Sequence, residues 1–360
     1  MLQSVQFDEL AAYFRDRSNR DGFSSQLFEI GPLDVMLSIA PECAALDMGM
    51  ALTLAEPSRG ISESRSDFQP AAGLTVYVIQ LPTGRIDHPL SPFFSLKSHS
   101  LQQLSGSNHP KQFVVRYDEH RMIKVFDQVN GIGLLAFEEP TLLPPWELFS
   151  PIKEFIHMYA LDKSCLLLHA ASLVCPSLPD QGALIVGPGG SGKSTLTAYS
   201  IEQGMLTNGD DYVLVDLRQD TPLCWSVYRT LKLHPSSPVL QGKNRWKVWR
   251  SDSLTNKSVM LVNTVSQGGP LLQQATLSRV CGLSLMQSRA VHNPKAHSIH
   301  SDPYRHPYLH SCMSTIQQIP YRIDATLALS KKLHQSIPYV AYTIAPGIEG
   351  LQNALSAIKG

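Results

Sequence analysis

The chain has 360 residues, of which 43% are hydrophobic and 17% are charged. This apolar content supports ordinary folded cores and excludes a wholly disordered chain, and the length suggests about two domains. Lysine and arginine together number 30, as do aspartate and glutamate, so the formal net charge is zero. A globally basic nucleic-acid binder is therefore disfavoured, and we expect no nucleic-acid partner.

The six cysteines and the first ten residues indicate the cellular compartment in which the protein works. No two cysteines form a CxxC pair, so their spacing fits neither a zinc ribbon nor a dense disulfide framework. The segment MLQSVQFDEL has no basic-then-apolar leader pattern, and no apolar run approaches the ~20 residues that span a bilayer. We therefore expect a cytoplasmic protein with reduced thiols and no membrane partner.

The first 145 residues are predicted to be mainly strands. Runs rich in β-branched and aromatic residues, which favour strands, occupy residues 33–39, 74–81, 113–117, 122–126 and 132–137. Asn130-Gly131 is a strong hairpin-turn signal, and residues 56–73 read as an exposed loop rich in serine, proline and charge. We expect a small antiparallel β-domain over residues 1–145, in which no residue indicates a ligand.

Pro140, Pro144 and Pro145 mark the predicted domain boundary, which we place between residues 145 and 146. Beyond it, the apolar patterns predict in turn a helix, two buried strands, a helix that Gly204 ends, and a third strand, over residues 146–160, 165–174, 183–186, 194–203 and 212–215. This alternation predicts an α/β domain over residues 146–360, with a crossover helix packed on a sheet.

Residues 187–194, GPGGSGKS, match the phosphate-binding pattern GxxxxGK[ST] and lie between a predicted strand and a predicted helix. Glycines let successive backbone N–H groups face phosphate oxygens, and the helix N-terminus adds its dipole. Lys193 can reach the β- and γ-phosphates, and the Ser194 hydroxyl can ligate Mg²⁺. The other predicted nucleotide-binding residues are Gly187, Gly189, Gly190, Ser191, Gly192 and Thr195.

An acidic pair follows this motif closely, because Asp210 lies 17 positions after Lys193 and is followed by Asp211. Two adjacent carboxylates can divide the work of phosphoryl transfer: one holds the metal that bridges the phosphates, and the other accepts the proton of the attacking hydroxyl. We predict that both acids are catalytic and that Asp210 shares a metal with Ser194. Which acid is the base stays open, and the alternative is a turn that merely caps a strand.

His169 lies in the predicted strand 165–174, 18 positions before Gly187. From a neighbouring strand its side chain could orient an acid or stabilise phosphate charge, and we count it among the catalytic candidates. The alternative is a core histidine whose hydrogen bonds are satisfied.

These three elements together resemble the HPr kinase/phosphorylase superfamily. The matching pieces read LLLHAASLV, GALIVGPGGSGKSTL, EQG and NGDDYVLV, and the resemblance covers residues 150–235 well and the remainder loosely. It is strongest to the HPr-kinase-related kinases, some of which phosphorylate a serine of a ribosomal precursor peptide, including lasso peptide precursors. The resemblance implies a β-rich N-terminal domain followed by a P-loop kinase domain of HPr-kinase type.

The resemblance also implies roles. Lys193 and the loop amides would hold ATP, Ser194 would bind Mg²⁺, and the acidic pair would supply the base and a metal contact. The implied acceptor is a serine or threonine hydroxyl of a peptide or protein. Thr195 stands where the phosphocarrier-specific enzymes have a glutamate, and their C-terminal glycine-rich signature is not recognisable. Both departures disfavour HPr itself as the substrate and disfavour the reverse, phosphorolytic reaction.

Two other functions stay open: a nucleotide-binding regulatory module, and a kinase that acts on a small-molecule hydroxyl. The chain is also compatible with a homo-oligomer. Residues 229–257 carry seven basic residues against Asp252 alone, which suits either an acidic substrate segment, product phosphates or a solvated face.

The tryptophans and a histidine-rich segment of the C-terminal half are weaker signals. Trp225, Trp246 and Trp249 suit either a peptide or nucleobase platform or, with more weight, core anchors. Residues 292–310 hold five histidines whose spacing matches no tetrahedral metal site, and we expect there a mobile or substrate-facing loop, with metal binding as the alternative. Residues 348–358 are predicted to form a helix that packs on the sheet.

Overall fold

The computed structural model describes residues 7–46, 48–52, 73–81, 102–103, 112–241, 246–285 and 306–359. Packing divides the chain into two units, Met1–Tyr159 and Ala160–Gly360. The domain boundary that the prolines indicate, between residues 145 and 146, stays a prediction. No helix in the described part of the chain is long and apolar enough to cross a bilayer.

The first unit is built around a seven-stranded sheet that follows an N-terminal helix. Its described elements are α1 (Phe7–Asp21), β1 (Ser24–Ile30), β2 (Leu33–Ile39), β3 (Leu74–Gln80), β4 (Gln102–Gln103), β5 (Gln112–Tyr117), β6 (Met122–Asp127), β7 (Ile132–Phe137), α2 (Pro145–Phe149) and α3 (Lys153–Asp162). The last helix crosses the division between the units.

This sheet is mixed, with the strand order β1-β2-β3-β7-β6-β5-β4. The prediction of an antiparallel domain is wrong for its central strands, because β3 pairs in parallel with both β2 and β7. The sequence of β3, LTVYVIQ, is a nearly continuous apolar run that is largely buried, which is typical of a parallel strand. The strands predicted at residues 33–39, 74–81, 113–117, 122–126 and 132–137 are confirmed to within one residue.

Helix α1 occupies a segment for which the sequence analysis predicts mainly strands. Its Phe14 is buried, as one apolar side of an amphipathic helix requires. The predicted hairpin turn at Asn130-Gly131 is confirmed: it joins β6 to antiparallel β7, and Gly131 adopts a left-handed φ of +63°. The loop predicted at residues 56–73 lies, apart from residue 73, outside the described residues.

The second unit contains a larger sheet, a three-stranded sheet and four helices among its described residues. The elements are β8 (Cys165–Leu168), β9 (Ala171–Cys175), β10 (Leu178–Val186), α4 (Lys193–Glu202), β11 (Val213–Asp216), β12 (Leu223–Ser226), β13 (Thr230–Leu233), β14 (Val248–Asp252), β15 (Lys257–Leu261), β16 (Gln274–Leu285), α5 (Pro307–Gln318), α6 (Ile323–Ser336), β17 (Tyr339–Ile344) and α7 (Ile348–Lys359).

The larger sheet has the order β8-β11-β12-β16-β10-β9, and β17 pairs with β16. Strands β10, β16 and β17 run parallel, whereas β8, β11 and β12 pair antiparallel. Strands β13, β15 and β14 form the separate three-stranded sheet in that order. The unit is therefore of mixed α/β type, and its sheet is not uniformly parallel.

Helices cover both faces of the larger sheet. Alternate residues of β10 point to opposite faces: Ala183 and Ile185 pack with α4 and α7, whereas Leu184 and Val186 pack with α5 and α6. The predicted C-terminal helix is confirmed as α7, and Leu355 is one of the residues that fix it to the sheet.

Three predicted elements of this half differ from the structure. The strand predicted at residues 165–174 is two strands, because the chain turns at His169. The helix predicted at residues 146–160 is interrupted at Pro151, which lacks an N–H group, and at Ile152, which has a φ of +53°. The loop predicted at residues 292–310 is wrong for its last residues, because Pro307 already begins α5, and the first helical turn tolerates proline.

Candidate functional site

The glycine-rich loop, residues 187–192, connects the end of β10 to the start of α4. Gly187, Gly190 and Gly192 have φ values of +153°, +80° and +91°, which side-chain-bearing residues rarely adopt. At Gly187 a Cβ atom would also lie 2.6 Å from the carbonyl oxygen of Leu283. At Gly189 a Cβ atom would meet nothing within 4 Å, so this part of the loop borders open space.

Lys193 begins α4, and its side chain folds back over the loop. Its Nζ donates hydrogen bonds to the carbonyl oxygens of Gly187, at 2.8 Å, and Pro188, at 3.2 Å. Burial lowers the pKa of Lys193 to about 8, while the negative charges of Asp210 and Asp211 oppose this shift. The ammonium therefore lies within electrostatic reach of both acids.

The other predicted loop residues occupy the same region. Ser191 is buried, and its Oγ has no hydrogen-bond partner among the described residues. Ser194 and Thr195 are half-buried in the first turn of α4. This turn presents backbone N–H groups that have no partner within the helix, which is the arrangement that binds anions at helix N-termini.

Two turns of the larger sheet bring His169 and the acidic pair together. Strand β8 pairs with β11, and β9 pairs beside it with residues 206–209. His169 lies in the turn between β8 and β9, and Asp210 and Asp211 lie in the turn between residues 206–209 and β11. Because the two strand pairs are adjacent, these turns face each other.

Ser172 of β9 fixes the segment that carries the acids. Its hydroxyl accepts a hydrogen bond from the N–H of Asn208, at 2.6 Å, and donates one to Asn208 Oδ1, at 3.0 Å. The Thr207 hydroxyl donates to the Ser172 carbonyl oxygen at 2.7 Å. Gly209 follows with a φ of +150°. The backbone before the acids is thus held by buried hydrogen bonds, which fixes the direction of the two carboxylates.

Asp210 is buried and only partly satisfied. Its Oδ2 lies 3.4 Å from the backbone nitrogen of Lys232, whereas its Oδ1 has no well-aligned hydrogen bond among the described residues. Burial raises the pKa of Asp210 to about 6, and the nearby Ser194 hydroxyl opposes this rise. A buried carboxylate oxygen that lacks a partner is costly, so this atom points to a missing donor or ion.

Asp211 is, by contrast, firmly paired. The Nζ of Lys232 donates to its Oδ2 at 2.7 Å, and Nε2 of His169 lies 3.5 Å from its Oδ1. Burial alone would raise the pKa of Asp211, but Lys232 and His169 outweigh it and hold the pKa well below its ordinary value. Asp211 is therefore a carboxylate at neutral pH.

His169 is held by helix α5. Its backbone N–H donates to Thr315 Oγ1 at 2.7 Å, and its Nδ1 lies 2.5 Å from Ser314 Oγ and 2.8 Å from Gln318 Nε2. Burial lowers the pKa of His169 to about 4, so the ring is neutral at pH 7. With Nδ1 accepting from Gln318, Nε2 carries the hydrogen and faces Asp211.

The residues present fit a magnesium ion that is shared with phosphates. The described residues contain no cluster of three or more His, Cys, Asp or Glu side chains that could hold a metal by themselves. Mg²⁺ in nucleotide sites, however, commonly takes one or two protein oxygens, with phosphate oxygens and waters as its other ligands. Ser194 and the unpartnered Oδ1 of Asp210 provide such a pair of hard oxygen donors.

The structure thus brings together Lys193, Ser194, Asp210, Asp211 and His169, and their catalytic roles stay predictions. Sequence reasoning missed four residues of this neighbourhood: Lys232, Lys257, Ser314 and Gln318. The only signal for the two lysines was their membership of the basic run 229–257. No local pattern marks the other two, because they come from α5, more than 140 positions after His169.

The tryptophan and histidine signals have the following places in the structure. Trp225 is half-buried on β12. Of the five histidines in residues 292–310, three lie outside the described residues. The other two, His306 and His310, stand at the start of α5, where His310 Nδ1 is 2.7 Å from the Tyr339 hydroxyl.

Comparison with known proteins does not assign the chain to a family. No family model matches the chain, and no curated protein matches it. Among solved structures, the chain is similar to the Hpr(Ser) kinase/phosphatase from Coxiella burnetii, with 15% sequence identity and a TM-score of 0.29, over 54% of this chain and 88% of that chain.

Proposed function

We propose that this protein is a kinase of the HPr kinase/phosphorylase-like superfamily. It would use ATP and Mg²⁺ to phosphorylate a serine or threonine hydroxyl of a peptide or protein, for example a ribosomal precursor peptide. One observation carries the proposal: the buried carboxyl of Asp210 lies beside Ser194 at the start of α4, and its Oδ1 has no well-aligned hydrogen bond among the described residues. The match of residues 187–194 to the phosphate-binding pattern and the proximity of Lys193 to both acids support it.

The glycine-rich loop and Lys193 would bind the phosphates of ATP. The Lys193 ammonium already donates to two loop carbonyl oxygens, and phosphate oxygens are stronger acceptors for the same group. Its pKa of about 8 leaves it predominantly charged at pH 7. The N–H groups of the first turn of α4 add partial positive charge at the same point.

Ser194 and Asp210 would hold Mg²⁺ against the phosphates. When bound, the ion neutralises phosphate charge and orients the terminal phosphoryl group. If Asp210 is a metal ligand, its unpartnered oxygen gains the ion as a partner, and Asp211 is left to accept the proton of the attacking hydroxyl.

Asp211 would then accept the proton of the attacking hydroxyl. Lys232 keeps this carboxylate ionised, and the neutral His169 ring, fixed by Gln318 and Ser314, limits its orientation. The hydroxyl oxygen forms the new bond to the γ-phosphorus as the bond to the leaving ADP oxygen breaks, and the hydroxyl proton passes to Asp211. Phosphoryl transfer asks mainly for this positioning and for charge neutralisation.

Transfer of label from [γ-³²P]ATP tests the proposal. The protein is incubated with Mg²⁺ and candidate acceptors, including peptides encoded beside its gene, and the labelled product is identified by mass spectrometry. A kinase of this class yields a peptide or protein that carries phosphoserine or phosphothreonine. Release of inorganic phosphate alone, or intact ATP, indicates a regulatory module, and label on a small molecule indicates the third class of function.

A further inference from the structure

A cavity of about 470 Å³ lies in the second unit beside the three-stranded sheet. It is bounded by Ile201 near the end of α4, by Arg229 just before β13, and by residues 246–249 at the start of β14. The volume falls within the range of cavities that bind small ligands.

The lining of the cavity combines two cationic side chains with aromatic and apolar ones. It contains Arg229, Lys247, Trp246 and Trp249 beside six apolar residues, and no carboxylate is among the described lining residues, while Glu202 contacts the cavity only through its bond to the Trp246 indole. Asp252, the one acid of the basic run, is buried and is occupied in capping the turn that follows β14, where it accepts bonds from Leu254 and Thr255. The cavity therefore favours a ligand that is negatively charged and partly apolar.

Two of the lining side chains are fixed in place. The Arg229 guanidinium donates to the carbonyl oxygen of Val262, at 3.2 Å, and to Asn263 Oδ1, at 3.0 Å. The Trp246 indole nitrogen donates to Glu202 Oε1 at 3.2 Å, and its ring packs against the core beneath α4. A ligand would thus lose little free energy in ordering these walls.

Two short stretches of chain connect the lining of the cavity to the candidate site. Arg229 precedes Lys232, which contacts Asp211, by three residues, or roughly 10 Å of extended chain. Along α4, Ile201 follows Ser194 by seven residues, which is also roughly 10 Å of helix. An extended peptide covers such a span in three or four residues.

We propose that this cavity binds an acidic segment of the acceptor polypeptide, three or four residues from the hydroxyl that receives the phosphate. The inference rests on the proposed kinase function. It predicts that the phosphorylated serine or threonine has aspartate or glutamate three or four residues away.

Binding of tetraglutamate, a blocked four-residue peptide, tests the site without any catalysis. Two of the four tryptophans of the chain line the cavity, so their fluorescence reports occupancy. We expect tetraglutamate, but not tetralysine, to change the fluorescence. Lys247→Glu, at an exposed position, should weaken binding at least about fivefold, since it reverses a charge that would face the peptide. Lys359→Glu, on the exposed side of α7, is the matched control and should bind as the wild type does.

Phosphorylation of designed peptides tests the spacing. Blocked peptides Ser-Ala-Ala-Glu-Glu and Glu-Glu-Ala-Ala-Ser are compared with versions in which glutamine replaces glutamate. We expect at least one glutamate peptide to be phosphorylated with a higher kcat/KM than its glutamine version, and Lys247→Glu to remove that difference while leaving ATP affinity unchanged.

Three results would overturn the inference: wild-type protein that binds ATP but not tetraglutamate, equal weakening by Lys247→Glu and Lys359→Glu, or a loss of ATP affinity in Lys247→Glu, which would make the cavity part of the nucleotide site. Failure of the kinase proposal is distinguishable. In that case tetraglutamate still binds and responds to Lys247→Glu, while no peptide is phosphorylated.

Discussion

Lys232 contacts both members of the acidic pair: its Nζ donates to Asp211 Oδ2 at 2.7 Å, and its backbone nitrogen lies 3.4 Å from Asp210 Oδ2. Both side chains of the Lys232–Asp211 pair are largely buried. The first strand of the three-stranded sheet is thereby connected to the turn that carries the acids. Removing either charge would leave the other poorly solvated, which gives the pair a measurable effect on stability.

A double-mutant cycle measures this coupling without reference to catalysis. We expect Lys232→Met and Asp211→Asn each to lower the free energy of unfolding by about 1–3 kcal/mol, because each leaves a buried partner unpaired. The double variant should lose less than the sum of the two, by at least ~1 kcal/mol, as for residues in direct contact. Urea unfolding measures the free energy of unfolding of the wild type, the two single variants and the double variant. Strict additivity of the losses would show that the ion pair does not form in solution.

Asp211→Asn should also abolish most of the phosphotransfer. Loss of a positioned base lowers turnover by roughly 10²–10⁴-fold, while ATP affinity should change little because Asp211 is not assigned to the nucleotide. Single-turnover transfer beside a nucleotide titration separates the two effects. Asp220→Asn, which changes an exposed acid of the same unit, is the matched control. Normal turnover in Asp211→Asn would transfer the role of base to another group.

Gly187→Ala and Gly189→Ala form a matched pair in the glycine-rich loop. A Cβ atom at Gly187 meets the Leu283 carbonyl oxygen at 2.6 Å and sits on a backbone with a φ of +153°. We expect Gly187→Ala to cost about 1–3 kcal/mol of unfolding free energy. Gly189→Ala adds a methyl group to open space and should stay within about 0.5 kcal/mol of the wild type. Thermal and urea unfolding check this, and equal losses would contradict the loop geometry.

We expect His334 on α6 to make the free energy of unfolding depend on pH. Burial, assisted by His310, lowers the pKa of His334 to about 4 from its ordinary value of 6.5. Between these two pH values the unfolded chain binds a proton that the folded protein does not, so stability rises with pH in this window. The contribution is complete above about pH 6.5 and is lost as the pH falls toward 4, and after discounting for partial exposure it amounts to about 1–2 kcal/mol.

Comparison of wild type with His334→Gln isolates this contribution. Glutamine cannot titrate, yet it can keep a hydrogen bond to the Ser311 hydroxyl, which lies 2.7 Å from His334 Nε2 in the wild type. The difference in unfolding free energy between the two proteins should therefore change between pH 6.5 and 4 and be constant above it. A difference that does not vary with pH would show that His334 titrates normally.

Local chemistry accounts for much of the secondary structure. The mainly apolar run of β2, the hairpin turn at Asn130-Gly131 and the helix after residue 192 are encoded within a few residues of each position, and the structure contains all three. Where the sequence analysis was wrong, the deciding contact was distant or the local signal was mixed. The parallel pairing of β3 needs partners on two other strands, and the largely apolar run from residue 165 to 174 does not reveal the turn at His169.

The sequence by itself determined the residue types of the candidate site: the glycine-rich loop ahead of a helix, the adjacent acids, and a histidine before them. Only the tertiary structure decided that His169 faces Asp211, that Lys232 pairs with Asp211, and that Asp210 lies beside Ser194 with an Oδ1 that no described residue pairs. The physical reason is that these contacts join residues that lie 16 to 42 positions apart in the sequence and that strand pairing brings together. The residues of α5 that hold His169 are more than 140 positions away from it. Sequence patterns report a residue's near neighbours, whereas pKa shifts and vacant hydrogen bonds depend on what the whole fold packs around a group.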